Sequence, residues 1–146
     1  MKFNYGKNDF KSFKSGNEHC YLLTNGLGGF SSTTLINSLA RNDHSLFMAC
    51  TKAPNNRKNI ISKVEEILRI DNNEIHLSSQ EYVCYTKNMS GFNNIHSFSQ
   101  EYLPKWTYFY DGVEIIKTIV YEHGKNTLGI KYSIDNRNNK DVKLEV

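Results

Sequence analysis

The residue types that could support chemistry begin in a glycine-rich stretch, where Asn25 precedes Gly26, Gly28 and Gly29. Backbone amides in such a loop can hold an anion, and a phosphate group would then be the ligand. The spacing fits neither G-x-G-x-x-G nor G-x-x-x-x-G-K-[ST], and no Lys follows at the required place. The residues therefore favour a structural turn in which glycine supplies positive φ angles.

A nucleophilic site is a second possibility, because Cys50, His44 and Asp43 are the residue types of a nucleophile, a base and an orienting acid. No local signature surrounds Cys50, and the spacing alone does not bring the three together. Cys20, Cys50 and Cys84 form no C-x-x-C pair, so we expect reduced and mostly buried thiols. The five histidines form no H-x-x-x-H pair, so no metal site or cofactor is predicted.

Paired carboxylates would be required for the hydrolysis of a glycosidic bond. Glu65 and Glu66 are adjacent, and in a strand their side chains would point to opposite faces. They could not then act together on one sugar as acid and base. No catalytic residue is therefore predicted.

A stripe of aromatic residues could bind sugar rings by stacking. Trp106, Tyr108 and Tyr110 alternate along a predicted strand and would share one face. Val113 and Ile115 are expected opposite them on the next strand, which favours packing in the core. Both interpretations stay open, and the core is favoured.

The elements that would position these groups are predicted to be almost entirely strands. Residues 20–24 form a short strand that enters the glycine turn, and residues 46–51 form a buried strand. Residues 31–41 fit a helix or a strand equally well. The apolar run 60–70 predicts one arm of a hairpin with 74–77, and a helix is the competing interpretation.

The clearest hairpin joins Trp106–Tyr110 to the strand starting at Val113 through Asp111-Gly112, the signature of a type I′ turn. This turn would place Tyr110 opposite Val113 and Tyr108 opposite Ile115. Further strands are predicted over 128–134 and 142–146. Residues 1–17 are predicted to be an N-terminal arm without regular structure, anchored by Phe3, Tyr5, Phe10 and Phe13.

The composition describes one soluble globular domain of 146 residues, 38% hydrophobic and 23% charged. The net charge is +3, but Lys and Arg are scattered singly, which argues against nucleic acid as a partner. No apolar run reaches the length of a signal peptide or a membrane span, so we expect a cytoplasmic protein with no membrane partner. The strand starting at Val142 has no capping turn, so we expect the chain to be a piece of a longer protein.

Residues 21–50, YLLTNGLGGFSSTTLINSLARNDHSLFMAC, resemble the start of the N-terminal domain of bacterial and archaeal glycogen debranching enzymes. That family reads W-L-L-T-N-G-L-G-G-Y and then T-R-R-Y-H-G-L-L. Residues 60–66 are similar to its l-L-S-K-x-E-E motif and residues 103–108 to its P-x-W-x-Y motif; 112–117 and 123–132 look like later strands, so the resemblance covers about 18–146. This sequence departs from the pattern at Tyr21 (Trp in the family), Asn42-Asp43 (Arg-Tyr) and Ser45 (Gly).

The resemblance implies an all-β, antiparallel, supersandwich-like β-sandwich, of which these residues are an incomplete part. In the family, an α/α-barrel follows that carries the carboxylates for hydrolysis of α-1,6-glucosidic branches. We therefore expect a non-catalytic domain that packs on its own C-terminal catalytic domain and lends a loop to a glycogen or limit dextrin site. The candidate substrate-binding residues are Asn25, Gly26, Gly28, Gly29, Arg41, His44 and Trp106.

Two alternatives have different consequences. A stand-alone carbohydrate-binding module would use Trp106, Tyr108 and Tyr110 as an exposed stacking surface. A structural or oligomerising β-protein would pair the strand at Val142–Val146 with another chain.

Overall fold

The computed structural model describes residues 2–82 and 89–146, and its regular structure is almost entirely antiparallel strand. The strands are β1 (Phe3–Gly6), β2 (Leu23–Thr24), β3 (Phe30–Ser32), β4 (Ser45–Lys52), β5 (Asn56–Ile61), β6 (Ile67–Ile70), β7 (Asn73–His76), β8 (Ser79–Gln80), β9 (Met89–Ser90), β10 (Ile95–Gln100), β11 (Pro104–Tyr110), β12 (Val113–Tyr121), β13 (Leu128–Asn136) and β14 (Val142–Glu145). Helix α1 (Phe13–Asn17) and two 3-10 helices (Lys7–Phe10, Gly91–Asn94) are short. None of the helices in the described ranges has the length and apolarity to cross a bilayer. Cys84 lies outside the described residues.

The strands form several open sheets around one hydrophobic core. The largest sheet has the order β1-β10-β11-β12-β13, and a second has the order β2-β3-β4-β5. A three-stranded sheet, β14-β6-β7, and the β8-β9 pair complete the described part of the chain. The core includes Trp106 and Ile115 from the largest sheet and Leu35 and Leu68 from elsewhere in the chain. The predicted all-β, sandwich-like class is confirmed.

The β11–β12 hairpin has the predicted register. Tyr110 pairs with Val113 and Tyr108 with Ile115. Asp111 and Gly112 have φ angles of 46° and 77°, the two positive values that a type I′ turn requires. The alternating pattern of the sequence therefore sets which side chains of β12 enter the core.

The two ambiguous stretches are resolved by the structure as strands and turns. The β6–β7 hairpin turns at Asp71, which has a φ of 51°. Its first arm is only Ile67–Ile70, and residues 60–61 end β5 in another sheet. A hairpin is therefore present, but both the competing helix and a single strand over 60–70 were wrong. Residues 31–41 begin in β3 and continue as turns. The Thr34 hydroxyl accepts the Ser38 N–H at 3.0 Å, and such local side-chain bonds compete with a helix.

The N-terminal arm is more regular than predicted. Strand β1 pairs with β10 at the edge of the largest sheet, and Ser12 caps helix α1 by accepting the Ser15 N–H. Phe10 is buried, and Tyr5 and Phe13 pack against the core. Phe3 is 45% exposed, so it does not serve as an anchor. The absence of a clean period had hidden these elements, because each is only four or five residues long.

A buried ion pair lies inside the core. Lys117 of β12 contacts Glu66, and the two side chains are 2% and 0% exposed. The Lys117 ammonium also donates to Asn37 Oδ1 at 3.2 Å and lies 5.5 Å from the Trp106 ring centre. The Tyr132 hydroxyl donates to Glu66 Oε1 at 2.7 Å. These contacts connect five parts of the chain: the turn at Asn37, the segment before β6, and strands β11, β12 and β13.

Candidate functional site

The glycine turn is organised around the fully buried side chain of Asn25. Asn25 Oδ1 accepts the backbone N–H groups of Leu27 at 2.9 Å and Gly29 at 3.0 Å. Gly26 and Gly28 have φ angles of 78° and 97°, which other residues resist. The amides of Leu27 and Gly29 that could have held an anion are used within the turn, so the structural interpretation of these glycines is supported.

At two of these positions glycine is also required because neighbouring atoms lie where a Cβ atom would be. A Cβ atom on Gly29 would lie 2.5 Å from the Tyr121 hydroxyl and 2.8 Å from the Met48 carbonyl oxygen. A Cβ atom on Gly28 would lie 2.3 Å from the carbonyl oxygen of Pro54. Neighbouring backbone therefore occupies the space that any side chain would need.

The same turn is held against the β12–β13 connection. Asn25 Nδ2 donates to the Lys125 carbonyl at 2.9 Å and to Asn126 Oδ1 at 3.0 Å. Asn126 in turn accepts the Cys50 N–H at 3.0 Å and donates to the Cys50 carbonyl at 2.8 Å. Gly124 N–H donates to the Asn25 carbonyl at 2.7 Å. Asn25 and Asn126 thus join the sheet that contains β4 to the largest sheet.

His44 lies in the loop that leads into β4 and is only 6% exposed. Its Nδ1 accepts the Ala40 N–H at 3.1 Å, which leaves the proton of the neutral ring on Nε2. Burial and the nearby Arg41 lower the pKa of His44, and Asp43 opposes them. The Nε2 atom is buried and has no hydrogen-bond partner among the described residues. His44 therefore presents an unused N–H donor.

Arg41 and His44 line one cleft of about 380 Å³, a volume within the roughly 300–1,000 Å³ of small-ligand sites. Its wall also includes Asp43, the half-buried ring of Phe30 and the side chain of Ser32. Arg41 and Asp43 are exposed. The cleft therefore combines N–H donors, a carboxylate acceptor and an apolar ring face. These groups suit a neutral ligand that carries hydroxyl groups.

The predicted site residues fall into three places. Arg41 and His44 share the cleft, as described. Asn25, Gly26, Gly28 and Gly29 form the turn before β3 and are not among the residues that line the cleft. Trp106 is fully buried and donates from Nε1 to the Leu35 carbonyl at 2.7 Å. The turn thus positions strand β3, and Trp106 belongs to the core.

The aromatic stacking surface predicted as one alternative was wrong. Trp106 and Tyr108 are 0% and 1% exposed, and the Tyr108 hydroxyl accepts a hydrogen bond from Asn37 Nδ2 at 2.8 Å. Burial raises the pKa of Tyr108 well above its ordinary value. The stripe faces Val113 and Ile115 across the hairpin, so the core encloses the rings.

Phe30, Ser32 and Asp43 were missed as cleft residues by sequence reasoning. Phe30 and Ser32 are two positions apart on β3, and this spacing places their side chains on one face of the strand. That face could have been predicted from the glycine turn immediately before it. The position of Asp43 next to His44 was noted only for nucleophilic catalysis, and Cys50 instead contacts Asn126 through its backbone.

Comparison with known proteins supplies the family. The family model described as "Glycogen debranching enzyme N terminal" matches residues 19–146. Neither the curated proteins nor the solved structures include a significant match. The matched range contains the glycine turn, the cleft residues Arg41 and His44 and the buried ion pair. Because it spans most of the 146 residues, the chain belongs to the family of glycogen debranching enzyme N-terminal domains.

Proposed function

We propose that this chain is a non-catalytic N-terminal part of a glycogen-debranching glycoside hydrolase, and that its cleft contacts the α-glucan. Hydrolysis of the α-1,6-glucosidic branch is assigned to a downstream catalytic domain, on which the present domain packs. The observation that carries the proposal is that Arg41 and His44 line one open cleft, and that His44 Nε2, buried in its wall, has no hydrogen-bond partner among the described residues. A buried donor without a partner is costly, so an acceptor from a ligand would stabilise it.

The charge and shape of the cleft favour a sugar over an anion. Arg41 offers a planar set of N–H donors, and neutral His44 offers one more. The carboxylate of Asp43 lies in the same wall and would repel an anionic ligand. Glucose hydroxyls both donate and accept, and the apolar face of a glucose ring can lie on Phe30.

The number of carboxylates in the cleft supports the proposed non-catalytic role. Among the residues that line the cleft, Asp43 alone carries a carboxylate. Glycoside hydrolysis uses two, separated by roughly 5–10 Å. The cleft by itself therefore lacks such a pair, and we assign the acid and base to the downstream catalytic domain.

The direct test is to assay the chain with and without the downstream sequence of its gene. We expect the short form to release no glucose from limit dextrin and the extended form to release it. Retention in a glycogen-containing gel measures binding by the short form alone. Arg41→Ala should weaken retention, and Arg137→Ala, at an exposed arginine paired with Asp135, is the matched control. Glucose release by the short form would contradict the non-catalytic role.

A structural or self-associating role is the second candidate. Strand β14 pairs with β6 along one side and is the edge of its sheet. Strand β5 is also an edge strand, and all six of its residues are exposed, including Ile60 and Ile61. Such edges can pair with another chain. Light scattering that shows a monomer at high concentration would exclude this candidate.

A further inference from the structure

A second cavity, of about 370 Å³, lies beside the Arg41–His44 cleft and shares the residues Cys20 and Leu22 with it. We propose that the two form one groove that binds a linear run of several α-linked glucose units. This inference rests on the proposed function, because it assumes that the cleft binds glucan. The second cavity, called here the outer cavity, would hold the units that extend beyond the cleft across Leu22, which is 58% exposed.

Aromatic rings form one wall of the outer cavity. Phe3 and Tyr5 lie two positions apart on β1, so they share a face of the sheet. Phe3 is 45% exposed, and the Tyr5 ring lies 4.9 Å from the ring of His19 at an angle of 41°. An exposed ring such as that of Phe3 can pack against the apolar face of a pyranose ring. The outer cavity thus has a surface for stacking that the buried Trp106 could not provide.

Polar groups complete the outer cavity at its junction with the cleft. Gln100 donates from Nε2 to the Leu22 carbonyl at 3.3 Å, which places its amide beside the shared residue. Glu18 and Glu101 contribute carboxylates that can accept hydrogen bonds from sugar hydroxyls. Amides, carboxylates and rings in one cavity are suited to a neutral polyhydroxylated ligand.

The charges of the whole groove argue for the same class of ligand. Glu18 and Glu101 line the outer cavity, and Asp43 lines the cleft, where Arg41 is the cationic residue. A polyanion would meet carboxylates in both parts of the groove and is disfavoured. A neutral glucan chain can use the carboxylates as acceptors and Arg41 as a donor.

The test compares maltose with maltoheptaose by titration calorimetry on the chain. We expect maltoheptaose to bind at least tenfold more tightly, because only the longer ligand can reach the outer cavity. Phe3→Ala should weaken maltoheptaose binding by about threefold to tenfold, the loss of one ring contact, and leave maltose binding unchanged. Phe3→Tyr retains the ring and should bind as the parent chain does. Phe109→Ala, at another exposed phenylalanine of the same sheet, is the matched control.

The outcomes separate this inference from the proposed function. Equal affinity for the two sugars, or equal effects of Phe3→Ala and Phe109→Ala, would overturn the extended groove. If Arg41→Ala still weakened binding in that case, the glucan site in the cleft would stand. If neither sugar bound, both the extended groove and the assignment of a glucan site to the cleft would be wrong. A heparin fragment that bound more tightly than maltoheptaose would also overturn the assignment of a neutral ligand.

Discussion

The side chains of Asn25 and Asn126 share a hydrogen bond of 3.0 Å across 101 positions of sequence. Each side chain also binds backbone groups. Asn25 accepts two N–H groups of the glycine turn, and Asn126 binds both the N–H and the carbonyl of Cys50. The hydrogen bonds of Asn25 and Asn126 therefore connect two sheets. The turn affects the proposed glucan site indirectly, because it sets the start of β3, and Phe30 and Ser32 of β3 line the cleft.

Replacement of Asn25 by Asp tests this connection with almost no change of shape. The substitution removes the two hydrogen bonds donated by Nδ2 and places a buried carboxylate opposite two acceptor oxygens. We expect a loss of about 3 kcal/mol or more in the free energy of unfolding. Urea denaturation measures it, and Asn8→Asp at an exposed position is the control. An equal effect of the two substitutions would show that the connection contributes little.

Gly29→Ala should destabilise the fold by about 1–3 kcal/mol, because the added methyl group would meet the Tyr121 hydroxyl and the Met48 carbonyl. Gly6→Ala is the matched control, since no atom lies within 4 Å of the corresponding position. Thermal unfolding of both variants checks the difference. Similar melting temperatures would mean that the turn can relax without cost.

The buried ion pair predicts a large asymmetry between single and double substitutions. Lys117→Met leaves the Glu66 carboxylate buried without its cation, and we expect a loss of roughly 3–5 kcal/mol in stability. The double variant Lys117→Met/Glu66→Gln removes both charges and should recover part of that loss. Lys125→Met, which breaks the exposed pair with Glu122, is the control and should have little effect. A double variant less stable than the single one would contradict this account.

His44 predicts a loss of stability at acidic pH. Its pKa in the folded chain is lower than the ordinary value of 6.5, so the unfolded chain binds a proton more readily. Its contribution is therefore present above pH 6.5 and decreases as the pH falls from there toward the lower folded pKa. Urea denaturation between pH 5 and 8 should show a smaller pH dependence for His44→Gln than for the exposed-site control His123→Gln. Parallel profiles for the two variants would show that His44 is not the titrating group.

The same protonation should affect the proposed binding of glucan. A protonated His44 can no longer accept the Ala40 N–H at Nδ1, so the loop that also carries Arg41 would have to rearrange. We expect retention on a glycogen-containing gel to weaken as the pH falls below 6.5, and the His44→Gln variant to lose that dependence. Retention that is constant with pH in the parent chain would argue against a role of the His44 loop in binding.

Local patterns predicted the hairpins and the glycine turn because turn type and strand alternation are set by neighbouring residues. The Asp111-Gly112 turn fixed the register of β11 and β12, and the alternation along β12 placed Lys117 on the same face as Ile115. The partner Glu66 could not be predicted, because 51 positions of sequence separate the two residues. Long-range contacts of this kind depend on the topology of the sheets.

Dependence on long-range packing also limited what could be predicted about the cleft. The sequence singled out Arg41 and His44 by family resemblance, but the burial of His44 and its unused Nε2 depend on the packing of the loop against the sheet. Phe3 is a clearer case: in the sequence it was one anchor among four, and only the pairing of β1 with β10 leaves it at the edge of a cavity. Trp106 was a candidate sugar-binding residue because tryptophan is amphipathic, although packing in the core was favoured, and the alternation of β11 turns it inward.

Trp106 is the single tryptophan of the chain and is 0% exposed. Its ring packs edge to face with that of Tyr21, and the two ring centres are 5.1 Å apart. Its fluorescence should therefore be emitted at short wavelength from the folded chain and shift to the red when water reaches the core. Because Lys117 and Tyr21 both contact this ring, the emission also senses the state of the buried ion pair. Trp106, a candidate sugar-binding residue in the sequence, therefore reports on folding through its fluorescence.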